Sequence, residues 1–197
     1  NVSGAIFLKS YLEIKNPYIT IAGQTSPEGI TIAHYQTYIM THDVVLQNLR
    51  FRVLFNETTD GPGGPRGIAD AITIIGNSTN IVNNVILDHN SLSWAVDENL
   101  DSWSYVENIT VQWSIIAEPS FYGSLDGPFG RGSLHGVNNN ASELGIPRDL
   151  LKLSYHHNIL AHNTDRNPKI TAGTMHDMRN NVIYNWKLSG ATMLGEQ

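Results

Sequence analysis

The sequence predicts an all-β chain wound as a parallel β-helix. Two observations carry that reading. Short runs rich in Val, Ile and aromatic residues recur along the whole chain, separated by Gly, Asn, Asp, Ser and Pro. Four of these runs also align without gaps around one polar position.

The runs are, in order, "YITIAG", "VVLQNLRF", "AITIIG", "VILDHNSL", "ITVQWSII", "LKLSYHHNIL" and "NNVIYNW". The alignable segments are "VILDHNSLS" (85–93), "ITVQWSIIA" (109–117), "LSYHHNILA" (153–161) and "HDMRNNVIY" (176–184). Their polar slot holds Asn90, Ser114, Asn158 and Asn181, at spacings of 24, 44 and 23 residues. "VVLQNLRF" reads as an earlier copy with Asn48 in the slot. A strand, an Asn turn and another strand suit a stacked coil. Asn tolerates left-handed backbone, and its amide can bond to the next Asn in a stack. Val85, Ile109 and Leu153 are expected to form one inward column, with Leu87, Val111 and Tyr155 in a second. The rival is an antiparallel sandwich. It needs tight Asn-Gly hairpins, which are not evident.

Composition narrows the function classes. The chain has 197 residues, 41% hydrophobic and 15% charged, with a formal net charge of −6. That length can bury a sizeable core. A nucleic-acid binder would carry a basic surplus. With no cysteine, disulfides and thiolate metal sites are excluded. No apolar run reaches transmembrane length. The opening "NVSGAIFLKSYLEIKNPYITIAGQ" reads as strands rather than as a leader. We therefore expect one β-helix domain over residues 1–197, mature or truncated at one or both ends. Sequons at Asn1, Asn56, Asn77, Asn108 and Asn140 are weak evidence for secretion.

The charged residues follow the repeat. Asp70 precedes the first slot, and Asp97, Glu98 and Asp101 precede the second. Arg131 precedes the third, and Arg166 with Lys169 the fourth. Coils stacked at about 4.8 Å turn these into a stripe about 15 Å long, acidic at one end and basic at the other. Several carboxylates within one coil rise make a hard-oxygen site suited to Ca²⁺. Like charges that close are costly unless a cation joins them. The arginines beside them could grip carboxylates on a ligand. The bland alternative is a solvated charged face. His156 and His157 fall in strand slots and lack a metal spacing, so they read as wall or core residues. His89, His135 and His176 likewise read as structural or surface residues.

At "ILDHNSLSWAVDENLDSW", "VQWSIIAE", "YHHNILAHNTDRNPKI" and "NNVIYNW" the chain resembles a pectate lyase of polysaccharide lyase family 1. "NPYITIAGQTSPEGI" fits too, and the resemblance runs from about residue 2 to 197. It implies a right-handed, single-stranded parallel β-helix. It implies Ca²⁺-dependent β-elimination of de-esterified homogalacturonan, usually outside the cell. The expected partner is polygalacturonate, with no nucleic acid and no membrane, acting on a secreted monomer. Carried over, Arg166 matches the arginine proposed to abstract the C5 proton. Asp70, Asp97 and Asp101 match three calcium ligands. Arg131 stands where the family commonly has a substrate-binding lysine, and Lys169 fills a further basic role. Asp88 and His89 match a structural Asp-His motif. Two positions depart. Ile68 stands where the family often has another aspartate, so one ligand is either lost or supplied by Glu98. Thr171 stands where other members have arginine.

Two other classes stay open. "NTD" (163–165) also occurs in β-helical polygalacturonases, but the further carboxylates of an inverting hydrolase are not found in order. A non-catalytic carbohydrate-binding β-helix could use Trp94, Trp103, Trp113 and Trp186 to stack on sugars. Of these, Trp113 is expected in the core, because it shares a strand slot with His89 and His157.

Overall fold

The computed structural model describes residues 3–53, 69–120, 130–137, 145–173 and 175–193. The described residues form twenty strands and no helix. All strand pairing within the three sheets is parallel, and each sheet pairs strands one coil apart. The fold is therefore the expected right-handed parallel β-helix, and an antiparallel sandwich is ruled out.

One coil shows the plan. Strand Glu98–Trp103 lies in sheet 1, Val106–Gln112 in sheet 2 and Ile115–Ala117 in sheet 3. The next coil repeats this with Arg131–Gly136, Lys152–His156 and Ile159–Ala161. Period-2 alternation sends every other side chain inward, and stacking in register turns those side chains into columns. Val85 pairs with Ile109 and Ile109 with Leu153. Leu87, Val111 and Tyr155 form the second column. All six are buried, as the sequence predicts.

The corner between sheets 2 and 3 is held by the polar slot. Asn90 Oδ1 accepts from the Leu49 N–H at 3.1 Å, and Ser114 Oγ accepts from the Asn90 N–H at 3.0 Å. Asn158 Oδ1 accepts from the Ser114 N–H at 2.9 Å, and Asn181 Oδ1 from the Asn158 N–H at 3.0 Å. The amides donate back toward the previous coil: Asn90 to Leu46 O, Asn158 to Val111 O and Asn181 to Tyr155 O. Each side chain thus satisfies backbone groups that the turn would otherwise bury unpaired.

Three details differ from the expectation. The left-handed residue is not the slot Asn but the residue before it: Asn48, His89, Trp113, His157 and Asn180 have φ of 58°, 52°, 49°, 58° and 54°. Asn48 is therefore in that row, and the slot of its coil holds the buried Leu49. Trp113 is not core. It is 52% exposed, because a left-handed corner directs its side chain outward. There it lies between imidazoles, 6.0 Å from the His89 ring and 4.2 Å from His157, at 12° and 18° between planes. His135 is a structural residue, as expected: it is fully buried, with Ser102 Oγ at 2.7 Å and the Tyr155 ring packed edge-on.

Asn158→Ala tests the ladder. It strands the buried Ser114 N–H and Val111 C=O, at about 1–3 kcal/mol each. We expect a loss of about 2–6 kcal/mol in urea denaturation. A loss below about 0.5 kcal/mol would remove the ladder from any stabilising role.

Candidate active site

The stripe forms at the entry to sheet 1. Asp70 lies just before strand Ile72–Ile75, and Asp97 just before strand Glu98–Trp103. Arg131 opens the third strand, and Arg166 precedes Lys169–Ile170. Backbone bonds lock these positions side by side. The Ala71 N–H donates to Glu98 O, Arg131 N–H to Asp97 O, and Ser133 N–H to Arg166 O. Arg166 itself is left-handed, at φ 58°. Its carbonyl comes so close to Gly132 that a Cβ there would stand 2.5 Å from the oxygen. Gly132 is thus required by the turn that carries Arg166, a residue the motifs did not single out.

Asp70, Asp97 and Glu98 each offer a ligand oxygen, and the three atoms lie within 4.8 Å of one another. Asp70 and Glu98 are buried. Asp70 Oδ2 accepts from Thr73 Oγ1 at 2.6 Å and from Gln36 Nε2 at 3.3 Å. Its Oδ1 accepts from the Glu98 N–H at 3.0 Å. Burial pushes the Asp70 carboxyl up to about 8, with Asp97 adding to the rise and the Thr73 bond opposing it. Burial, then Asp70 and Asp97, hold Asp101 well above the ordinary carboxylate range. Asp101 Oδ1 is buried without a hydrogen-bond partner among the described residues.

Two guanidiniums enter this cluster. Arg131 Nη1 pairs with Asp97 Oδ1, and Arg166 Nη1 with Glu98 Oε1. Burial lowers the Arg166 pKa, and the charges of Asp97 and Asp70 act against that shift. The four carboxylates, when ionised, outnumber the two guanidiniums by two charges. One divalent cation supplies that difference. The orphaned Asp101 oxygen and the all-oxygen donor set fit a hard ion.

The structure brings together Asp70, Asp97, Arg131 and Arg166 of the predicted site, with Asp101 beside them. It adds Glu98 to the carboxylate group in place of Asp101. Lys169 stands apart. In register it shares an outward row with Leu134 and Asp101, two strands from the latter, or about 10 Å. Among the described residues it makes no ion pair with the cluster. Ile68 lies outside the described residues. Thr171 is buried and bonds Val137 N–H and C=O, which ties a turn together. In "NTD", Asn163 is buried on Ile116 O and Asp165 accepts the Arg166 N–H at 2.7 Å, so the triplet builds the turn. Asp88 and His89 bond each other at 2.8 Å, near the opposite corner. A cleft of about 480 Å³ also lies at that corner, lined by Glu28, Arg50, His89 and Trp113 among others. It holds none of the stripe's carboxylates or arginines.

The electrostatics give a stability test. Asp70 titrates at about 8 when folded and at an ordinary 3.8 when not. Between those values the folded state holds a proton that the unfolded chain releases, so stability falls as pH rises. His135, kept neutral down to about 3 by burial, has the opposite slope below 6.5 and none above it. In chelator, Tm is expected to fall from about pH 6.5 to 8, and a saturating divalent cation to remove the fall. A Tm that is flat or rising in chelator would contradict the buried-carboxylate account.

No family model matches the chain. It is 31% identical over 197 residues to a probable pectate lyase C of Emericella nidulans, covering 99% of this chain and 39% of the relative. It is 32% identical over 180 residues to a probable pectate lyase C of Aspergillus terreus, covering 90% and 35%. The chain thus spans about two-fifths of the length of the curated relatives it matches. Among solved structures it resembles Jun a 1, the major allergen from cedar pollen. The TM-score is 0.62 at 18% identity, over 98% of this chain and 55% of that one. That likeness shows the fold alone. The chain is a homologue, over almost its whole length, of part of fungal proteins named probable pectate lyase C, and it carries the parallel β-helix fold.

Proposed function

We propose that this chain carries the catalytic region of a secreted, monomeric pectate lyase. It would cleave polygalacturonate by calcium-dependent β-elimination. The observation that carries the reading is the carboxylate group of buried Asp70, half-buried Asp97 and buried Glu98, interleaved with Arg131 and Arg166 at one corner. The named relatives support the substrate class.

Elimination removes the C5 proton, α to a uronate carboxylate, and expels the glycosidic oxygen at C4. Asp70, Asp97 and Glu98 would hold the ion, with the Asp101 charge beside them. A bound calcium ion supplies Lewis acidity toward the uronate carboxylate. Arg131 fits a carboxylate bidentately and would orient the sugar. Lys169, further along the same outward face, would bind a neighbouring uronate. Arg166 is the proton acceptor. An ordinary guanidinium is too weakly acidic for that role, but burial already lowers the pKa of this one. Only its neutral fraction accepts a proton, so the rate should climb with pH.

The ultraviolet absorbance of the unsaturated uronide product separates elimination from hydrolysis. We expect that signal on polygalacturonate, its loss in excess chelator, and a rise in rate between about pH 7 and 10. Arg166→Ala should lower kcat at least about 100-fold while leaving polygalacturonate binding measurable. A rate that is flat or falling with pH in a stable protein would remove Arg166 as base. Binding with no turnover in the wild type would support the non-catalytic reading.

A further inference from the structure

Glu98 is the residue of the stripe with two claims on it. Its carboxylate pairs with Arg166 through Oε1, and it also belongs to the oxygen group with Asp70 and Asp97. Its side chain is 4% exposed, so it cannot turn to water to escape either claim. Its backbone N–H is fixed on Asp70 Oδ1, and its strand is locked between two others. A cation held by Asp70, Asp97 and Glu98 would bring positive charge against the Arg166 guanidinium across one shared carboxylate. Each partner takes negative charge that the other needs.

We propose that Glu98 is a positioning residue that couples the cation to Arg166 with negative sign. Filling the carboxylate group loosens the Glu98–Arg166 ion pair, and holding Arg166 weakens the cation. Cation binding then does more than complete a charge deficit. It frees the guanidinium that the proposed reaction uses. Arg131 is the internal comparison, because the ion pair it makes with the same group is with Asp97. The inference rests on the cation reading of the site given above.

The test needs no turnover. Calcium chloride is titrated by calorimetry into the wild type, Arg166→Gln, Glu98→Gln, the double variant, and Arg131→Gln with and without Glu98→Gln. Coupling is reciprocal, so it shows in cation affinity alone. Arg166→Gln is expected to tighten calcium about tenfold, and Glu98→Gln to weaken it about tenfold. In the Glu98→Gln background the gain from Arg166→Gln should shrink below about twofold, whereas the gain from Arg131→Gln, which removes a cation paired with Asp97, should be the same in both backgrounds. An equal Arg166→Gln gain in both backgrounds overturns the proposal, as does a Glu98→Gln variant with unchanged affinity. If Glu98→Gln does not fold, Arg166→Gln is compared with Arg131→Gln: a larger gain from Arg166→Gln supports the coupling, and an equal or smaller gain overturns it. A wild type that takes up no calcium overturns the calcium reading and this inference together. Calcium uptake that is indifferent to both substitutions overturns the inference alone.

Discussion

Every coil of this molecule must lie in register on the next. Backbone hydrogen bonds between coils set a spacing of about 4.8 Å and leave no freedom to slip, because a slip of one residue would reverse inside and outside. Each corner must therefore turn at the same place in each coil. Left-handed residues meet that demand. They stack as Asn48, His89, Trp113, His157 and Asn180 at one corner, and as Tyr18, Asp43, Asn84 and Asn108 at another. Side-chain amides tie the second row together, Asn84 to Asp43 and Asn108 to Asn84. Registry also puts like side chains above like, which is why aliphatic columns fill the interior.

The same registry explains the stripe. Residues many positions apart in sequence become neighbours at one strand spacing, whatever their charge. Asp70 and Asp97 are brought together in this way, and Glu98 follows from its place in the strand. An uncompensated group of that kind would be costly. Here Arg131 and Arg166, on the next two coils, come back to pair with it. The turn bearing Arg166 fits against its neighbour only because residue 132 is glycine. Packing and electrostatics thus meet at one corner, and that corner is where the proposed chemistry belongs.

Much of this was legible in the sequence. The slot residues Asn90, Ser114, Asn158 and Asn181 revealed the period, and with it the core columns and the order of the charges. What failed was local. Asn48 was placed one position late because it matches the slot in type, whereas pairing puts Leu49 there. Trp113 reads as core from the strand slot it shares with His89 and His157, but φ decides which way a corner residue points. Lys169 was grouped with Arg166 by nearness in sequence, although three residues along a strand lead away from the cluster. Glu98 reads in the sequence as one carboxylate of its coil and a substitute for a missing ligand, and nothing there pairs it with Arg166. Its pairing with Arg166 spans 68 positions, and no motif records it.

The central claim is that the entry corner of sheet 1 takes up a divalent cation and a uronate together. A crystal structure of the chain with calcium and a short polygalacturonate tests it most directly. The account predicts an ion ligated by Asp70, Asp97 and Glu98, with a sugar carboxylate beside Arg131 and Arg166 turned toward C5. An ion bound elsewhere, or a sugar bound with the Glu98–Arg166 pair intact and no ion at the carboxylates, would contradict it.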